Sequence, residues 1–314
     1  MATSCPWGVG AKTKAIIAFE STYGVLPSTV AGIVMPVNSN SVKRSQNLTD
    51  ASTLRGDRNP AQPIKGNIDV SGDIVVPVDY TAFGYWLKAM FDEPSTTGDE
   101  GEYSHVFKVG AGMPSFALEK ALPGISKYCK MTGCKISRLS ISTGGDGELT
   151  ATISVVGKDE TIGSTSMDST ATVAPFSRAG NLQASVKVGG TTTGKITSFS
   201  LDIDFGLDTD GYCIGGGGKR EAVCDGIVKI SGTLEAFYDG NSALEAENTS
   251  LELIFTKGDE SMSIKLPEVM FAVTSPEISG PAGVKASVNY SAFYESATEA
   301  SAVVFTLNNA VEEY

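Results

Sequence analysis

Long runs of alternating apolar and polar residues constrain the fold of this chain more than any other feature. The apolar positions of two such runs are Leu149, Ala151, Ile153 and Val155 in the first half and Phe199, Leu201, Ile203 and Phe205 in the second. Serine, threonine or aspartate occupies nearly every position between them. A period of two places successive side chains on opposite faces of a β-strand. We therefore expect a mainly β protein whose sheets have one packed face and one wet face.

The strand patterns of the first half recur in the second half. KISRLSIS and GELTATISVVGK are echoed by KITSFSLDIDF and GVKASVNYSAF, and Ser-Gly occurs in both DVSGDI and KISGTL. These echoes predict an internal duplication, with a first β unit over residues 1–174 and a second over 175–314. Residues 157–181 are rich in serine and threonine and lack periodicity, so we expect a connection or surface loop there.

Net charge argues against a nucleic-acid-binding protein. The 314 residues carry 24 basic and 36 acidic side chains, a formal charge of −12, and most of the acidic excess lies after residue 174. Affinity for nucleic acid comes from neutralising phosphates with basic residues. No apolar run is long enough to span a bilayer and no signal peptide is evident. We expect a soluble protein that folds in the cytoplasm.

One helix and one long loop stand out from the strand pattern. Five large apolar residues between Phe83 and Phe91 have helical spacing and predict a helix over 80–91, with Asp79 or Thr81 as its N-cap. Residues 38–63 are almost wholly polar and predict a long loop. This loop carries the only dense basic cluster of the chain, formed by Lys43, Arg44, Arg55 and Arg58.

Three further local patterns predict secondary structure. Residues 105–120 are expected to form a hairpin, as are the apolar runs 251–256 and 262–266 around Lys257, Gly258 and Asp259. A short helix is expected over 241–248.

No sequence pattern predicts catalysis, a metal or a cofactor. The glycine-rich segment Gly215–Lys219 is followed by Arg220 instead of Ser or Thr and is flanked by strands, so it does not fit a phosphate-binding loop. Four aspartates between Asp202 and Asp210 lack the glutamate and helices of an EF-hand. His105, the only histidine, has no evident catalytic partners. The five cysteines read better as small buried apolar residues than as zinc ligands.

The order of these segments resembles the phage tail tube (major tail) protein family. In the second half the resemblance runs through KITSFSLDIDFGLD, GKRE, VKISGTLEAFYDG and SIKLPEVMFAVTSPEISGPAGVKASVNYSAFY. In the first half it runs through LRGDRNP, GNIDVSGDIVVPV, YWLKAMF, SFALEK, TGCKISRLSIS and GELTATISVVGK. It extends from about residue 14 to 307 and lies in the order of the segments, since no single motif is diagnostic.

The resemblance implies a structural virion protein and not an enzyme. Tail-tube β-sandwich units join their long strands between neighbouring subunits into a continuous barrel, and rings of such subunits stack into a hollow tube through which DNA enters the host cell. Family rings have six subunits, or three where two units are fused in one chain. The duplication therefore favours a trimer with pseudo-six-fold symmetry, with a hexamer as the alternative.

The resemblance also implies where the protein acts and what it contacts. The expected location is the virion tail, after synthesis and assembly in the host cytoplasm. The expected partners are further copies of the chain, tail terminator, tape measure and baseplate or tip proteins, and a sheath in contractile tails. DNA would pass without specific binding, and no cofactor or membrane is implied.

Two sets of residues are the candidate functional sites. Expected to face the lumen are Thr150, Thr152, Ser200, Asp202 and Asp204. Expected to contact the next ring are the basic residues of loop 38–63, Lys43, Arg44, Arg55 and Arg58.

Two other functions compete with this interpretation. A carbohydrate-binding or adhesion β-sandwich of a virion or cell surface needs exposed aromatic side chains, but Trp7 is near the terminus and Trp86 lies in the helical stripe. A β-sandwich hydrolase needs a nucleophile, which no motif supplies.

Overall fold

The protein is described here by a computed structural model that covers residues 7–144, 147–238, 248–272, 275–276, 278, 280–281 and 283–314. The strands of the first half are β1 Lys14–Phe19, β2 Ile33–Met35, β3 Ser39–Asn40, β4 Lys43–Thr49, β5 Ile64–Pro77, β6 Ser95–Asp99, β7 Glu102–Lys108, β8 Phe116–Leu122, β9 Lys127–Thr143, β10 Thr150–Gly157, β11 Asp159–Gly163 and β12 Thr172–Val173. Those of the second half are β13 Ala184–Val188, β14 Thr191–Thr193, β15 Ile196–Asp204, β16 Lys229–Phe237, β17 Thr249–Lys257, β18 Glu260–Ala272, β19 Lys285–Phe293 and β20 Val304–Asn309. The one α-helix within these residues is α1, Phe83–Phe91, and short 3-10 turns occur at Gly10–Lys12, Pro123–Ile125 and Asn181–Gln183. The predicted mainly β fold is confirmed.

An antiparallel sheet of eight strands, the central sheet, runs through both halves of the chain. Its order is β4, β5, β10, β9, β15, β16, β19 and β18. The two halves meet where β15 pairs with the C-terminal part of β9, from Phe199 opposite Thr143 to Asp204 opposite Arg138. The halves are therefore joined through backbone hydrogen bonds as one sheet.

Both halves of the central sheet have the same strand order. The first half contributes β4, β5, β10 and β9, and the second contributes β15, β16, β19 and β18. Numbered along the chain, each set reads first, second, fourth, third. Ser71-Gly72 of β5 and Ser231-Gly232 of β16 occupy the same place in the two sets and fix the register of one against the other.

Two outer sheets complete the sandwich, and two long strands connect them to the central sheet. The first outer sheet has the order β12, β2, β1, β8, the N-terminal part of β9, and β11. The second has the order β14, β13, β17, the N-terminal part of β18, β20, β7 and β6. Strands β9 and β18 therefore each belong to two sheets. In β9 four successive residues, from Gly133 to Ile136, are buried, because the strand is covered on both faces where it passes between sheets.

The core lies between the central sheet and the outer sheets. One row of facing side chains on the packed side of the central sheet is Ile74, Ile153, Leu139, Ile203 and Ile230, all at most 4% exposed. These residues belong to a single apolar cluster with Leu118 of the first outer sheet and Phe305 of the second. The alternation seen in the sequence is therefore the alternation between core and solvent faces.

Helix α1 packs into this core as its apolar stripe predicts. Trp86 meets Phe116 of β8 edge to face at 6.2 Å, and Phe91 contacts the rings of Phe205 and Phe305 at 5.6 and 5.4 Å. The helix is shorter at its start than the predicted 80–91, and its N-cap position is Ala82, without a side-chain cap. Asp79 still provides an acceptor for backbone N–H groups just before the helix, since its Oδ1 accepts hydrogen bonds from those of Thr81 and Ala82 at 2.8 and 2.5 Å.

Asp79 predicts a measurable dependence of stability on pH. Its side chain is buried and Oδ2 has no hydrogen-bond partner. Burial raises its pKa from 3.8 to about 6, despite the hydrogen bonds from Thr81 and Ala82. The folded state therefore binds this proton more tightly than the unfolded state, and the contribution to stability is lost as pH rises from about 4 to about 6.

The variant Asp79→Asn removes this titration but keeps an Oδ1 acceptor. We expect the free energy of unfolding of the wild type, relative to that of the variant, to rise by roughly 2–3 kcal/mol between pH 7 and pH 4. Urea titrations at several pH values measure this difference, in which the other titrating groups cancel. A difference that stays constant across the range would show that Asp79 is ionised equally in both states.

Of five further sequence predictions, one is confirmed, three are wrong or incomplete, and one falls almost wholly outside the described residues. The expected loop over 38–63 is wrong in its first half, because β3 and β4 pair with β5 and only 50–63 is loop. Segment 157–181 contains β11 and β12. The hairpin over 105–120 is wrong, since β7 pairs with β6 and β20 while β8 pairs with β1 and β9. The hairpin of β17 and β18 is confirmed, and the helix expected over 241–248 lies almost wholly outside the described residues.

Candidate functional site: the polar face of the central sheet

Polar side chains continue across the solvent side of the central sheet in register from strand to strand. The three rows of this polar face, from the first half to the second, are Asp73, Ser154, Arg138, Asp204 and Lys229; Thr152, Ser140, Asp202, Ser231 and Ser291; and Ser142, Ser200, Thr233 and Asn289. Each row faces away from the packed apolar rows, because neighbouring residues of a strand point to opposite faces. The result is a hydrophilic surface shared by both halves.

Four of the five residues predicted to face the lumen lie in these rows, and Thr150 lies on the same face of β10, two positions before Thr152. Thr150 and Thr152 come from β10, and Ser200, Asp202 and Asp204 come from β15. The structure brings the two groups together through β9, where Ser140 stands opposite both Thr152 and Asp202. Their common face is established by the register, while its position in an assembled tube stays a prediction.

Ion pairs neutralise part of the charge on this face. Arg138 Nη2 lies 2.9 Å from Asp202 Oδ1, which also accepts a hydrogen bond from Ser140 Oγ. Lys285 Nζ lies 3.1 Å from Glu235, and the hydrogen bond from this lysine lowers the pKa of the carboxyl. The face is therefore zwitterionic as well as hydroxylated. Sequence reasoning singled out its acidic residues and missed Arg138 and Lys285, although both occupy polar positions of alternating runs.

Arg220 fastens the loop between β15 and β16 to the first half of the chain. Its guanidinium is buried and donates to the carbonyl oxygens of Gly157 and Thr209 at 3.0 and 2.8 Å. It also pairs with Asp69 of β5 and lies 5.1 Å from the ring centre of Tyr212. Burial opposes ionisation of Asp69, but hydrogen bonds from Ser71 and Arg220 outweigh it and lower its pKa. The glycine-rich segment after Cys213 is thus part of a docked loop.

Backbone contacts continue this docking along β5. The Ile68 N–H donates to Gly218 O at 2.7 Å, and the Tyr212 hydroxyl donates to Ile68 O at 2.9 Å. Lys219 Nζ lies 2.6 Å from Asp159 Oδ2. Residues 205–228 are here called the docked loop. The loop begins at the end of β15 and reaches past the end of β10 to β5, and so attaches the second half of the chain to the first.

The four basic residues predicted to contact the next ring do not form one cluster. Lys43 and Arg44 lie in β4 at the end of the central sheet, and Arg44 pairs with Asp159 at 3.7 Å. Arg55 and Arg58 lie in the exposed loop 50–63, where Arg55 donates to Asn59 O at 3.2 Å. The first two are thus strand residues and only the last two are loop residues.

His105 and the cysteines, which the sequence analysis considered for catalysis or metal binding, lie in different environments. His105 is buried in β7, where Thr96 Oγ1 and Val311 O lie 2.8 Å from its two ring nitrogens, and burial lowers its pKa. Cys134 is buried and Cys129 half-buried, whereas Cys213 and Cys224 are exposed. Within the described residues, no three His, Cys, Asp or Glu side chains come together as metal ligands would.

Comparison with known proteins decides the family. A family model described as phage tail tube protein matches residues 10–292 of the chain. This protein belongs to the phage tail tube protein family. It is a structural component of the virion tail, and the two-faced β-sandwich described above is consistent with that family. A search of curated proteins found no match.

Membership of the tail tube family bears on the competing functions. The family is a structural one, which favours neither an adhesion module nor a hydrolase. In the portion of the chain that the structure describes, no helix has the length and apolarity needed to cross a membrane.

Proposed function

We propose that three copies of this tail tube protein close into a ring whose inner surface is the polar face, and that stacked rings form the channel through which phage DNA leaves the virion. The observation that carries this proposal is the junction of β9 and β15 inside one chain. That junction joins the end of one four-stranded set to the start of a second set with the same order. The same junction between chains extends the sheet, and three chains of eight strands give a barrel of 24.

Strand β4, at one end of the central sheet, is suited to such a junction. Strand β4 pairs with β5 on one side, and no described strand pairs with its other side. All but one of its residues are exposed. An unpaired strand edge is a template for another chain, and closure into a barrel is one way in which proteins protect it.

The internal junction predicts the register between chains. Ser45 of β4 corresponds to Asp204 of β15, because each lies opposite the residue two positions before the Ser-Gly pair of the next strand. Ala272 of β18 faces Asn289 of β19, and Arg138 of β9 faces Ser154 of β10. Asn289 and Ser154 hold the same place in the two sets of strands, so Ala272 corresponds to Arg138. Asp204 and Arg138 face each other within the chain. Ser45 of one copy should therefore face Ala272 of the next.

The chemistry of the polar face is compatible with DNA that moves without being held. Hydroxyl and amide groups bind water, and the paired charges leave no continuous basic strip to neutralise phosphates. The overall charge of −12 adds a repulsive field. DNA inside the ring would therefore keep its counterions.

A charge change on the polar face tests its position in the tube. Thr152→Lys/Asp204→Lys adds positive charge to the proposed lining, and we expect tubes of this variant to retain short duplex DNA in nuclease-resistant form at low salt. Retention should fall steeply with added salt, since counterions compete for the phosphates. The measurement is nuclease digestion of DNA bound to purified tubes, followed by quantification of what survives.

The matched control makes the same change on an exposed strand elsewhere. Thr97→Lys/Asp99→Lys alters β6, where both residues are exposed. DNA on these tubes should be digested, as should the little DNA on wild-type tubes. If DNA bound by the Thr152→Lys/Asp204→Lys tubes were digested as fast as in the control, the polar face would not line the channel.

Electron microscopy of the purified protein tests the function itself. Rings or tubes at high protein concentration are the expected result, and persistent monomers would contradict it. The predicted contacts between stacked rings through Lys43, Arg44, Arg55 and Arg58 are revised in this proposal, because Lys43 and Arg44 belong to β4, the strand proposed to form the lateral junction. Contacts with tail terminator, tape measure, baseplate or sheath proteins stay predictions from the family.

A further inference from the structure

The two halves of the chain treat equivalent loops differently. The docked loop connects β15 to β16, and residues 50–63 connect β4 to β5, which hold the same places in the repeated strand order. The docked loop buries Arg220 at 6% and Val223 at 3% exposure. In loop 50–63, by contrast, Leu54 is 98% exposed, and Arg55 and Arg58 are exposed. Both loops expose an apolar side chain, Ile214 in the docked loop and Leu54 in loop 50–63, but only the docked loop also buries side chains against the neighbouring strands.

The surface under the docked loop indicates where the equivalent surface for loop 50–63 should lie in the second half of the chain. Gly218 packs against Gly66 and Asn67 at the start of β5, and Arg220 reaches Gly157 at the end of β10. In the second half the corresponding positions are residues 226–228 before β16 and residues 292–294 at the end of β19. This correspondence follows from the Ser-Gly pairs and from the residues that face them.

An open cavity of about 530 Å³ lies at that corresponding position. Residues 226–228 and 292–294 line it, together with aromatic and aliphatic side chains from α1 and from the segment after β7, and with Asp225. At its rim Ile227 and Tyr294 are 86% and 54% exposed. Two large, exposed apolar side chains at the rim of an open cavity are typical of a surface that another protein segment covers.

We propose that loop 50–63 of one copy docks in this cavity of the next copy, with Leu54 as its apolar contact and its arginines near Glu295, an exposed residue that directly follows Tyr294 at the rim. The docking rests on the proposed ring, since the same β4-to-β18 junction brings the loop of one copy beside the cavity of another. It gives each lateral junction two attachments, a strand pair and a loop. Inside the chain, the β9–β15 pair and the docked loop already form this arrangement.

Photo-crosslinking from position 54 tests the docking. Replacement of Leu54 by p-benzoylphenylalanine places a photoreactive ring on the loop, and assembled tubes are irradiated, digested and analysed by mass spectrometry. The expected products join residue 54 to peptides containing residues 109–113, 225–228 or 292–294. Tubes assembled from a mixture of ¹⁵N-labelled and unlabelled protein distinguish links between copies from links within one chain. The same probe in place of Leu182, which is 91% exposed, serves as the control and should not label these peptides.

The outcomes separate this docking from the ring itself. Inter-chain links to the cavity peptides support the proposal. Tubes that form but link residue 54 only to other surfaces, only within its own chain or to nothing overturn the docking and leave the ring intact. Wild-type protein that forms no rings or tubes overturns the proposed function, on which the docking rests.

A blocking variant gives a second measurement that does not depend on photochemistry. Ala111 lines the cavity and is exposed, so Ala111→Trp fills it without disturbing the core. We expect the protein concentration needed for tube assembly to rise at least tenfold. The control Ser95→Trp places the same side chain on exposed β6 and should leave that concentration unchanged. Equal assembly of the two variants would contradict the docking.

Discussion

The double substitution Ser45→Cys/Ala272→Cys is expected to convert assembled rings into disulfide-linked trimers. Both positions are exposed in the single chain, so the substitutions leave the core unchanged. In the proposed junction they face each other across an antiparallel strand pair, where Cα atoms are about 4.5–5.5 Å apart. This separation suits a disulfide, whose Cα atoms are usually about 4.4–6.8 Å apart. Non-reducing gels of oxidised tubes should show dimers, linear trimers and closed trimers, and no larger species.

The native cysteines and the register need separate controls. The experiment uses a background in which Cys5, Cys213 and Cys224 are serine, because the last two are exposed. Arg44→Cys/Ala272→Cys shifts one cysteine by a single residue, which moves its side chain to the other face of the sheet. This pair should crosslink poorly. Equal crosslinking of both pairs would contradict the register, and a ladder that continues to hexamers would contradict the three-membered ring.

Arg220→Met is expected to lower the free energy of unfolding by about 3 kcal/mol or more. The substitution keeps much of the side-chain volume but removes the guanidinium, which leaves Asp69 without its charge partner. It also removes the donors to Gly157 O and Thr209 O. Buried acceptors left without a hydrogen bond each cost about 1–3 kcal/mol. Urea unfolding monitored by circular dichroism measures the loss.

Lys219→Met is the matched control for this prediction. It lies next to Arg220 and pairs with Asp159, but its side chain is 42% exposed. An exposed ion pair contributes less than about 1 kcal/mol, so the control should be nearly as stable as the wild type. Arg220→Lys should recover little of the loss, since an ammonium group cannot replace the planar fork of donors. If the variants at 219 and 220 were equally stable, the loop would not depend on Arg220.

Sequence periodicity predicted those parts of the fold that local burial determines. The alternation in β10 and β15 located strands that are packed on one face only, and the helical spacing from Phe83 to Phe91 located α1. Strand β4 was missed because an edge strand that is exposed on nearly all sides has no apolar face and therefore no alternation. The polar face was predicted because its strands also have an apolar face, so polar and apolar residues alternate in the sequence.

Local sequence patterns did not predict which distant segments of the chain pair with each other. Strand β7 was expected to pair with β8, but it pairs with β20, which lies about two hundred residues away along the chain. Arg220 likewise meets Asp69 across 151 positions, and the letters GKRE suggested a loop without indicating what it covers. Such contacts depend on how the sheets are arranged, and the local period of a strand carries no information about that arrangement.

The number of chains in one ring tests the central claim most directly. Cryo-electron microscopy of tubes assembled from the wild-type protein should show rings of three copies, with β4 of each copy paired to the C-terminal end of β18 of its neighbour and the polar face around the channel. Rings of six copies, or rings in which β4 has no strand partner from another chain, would contradict the account.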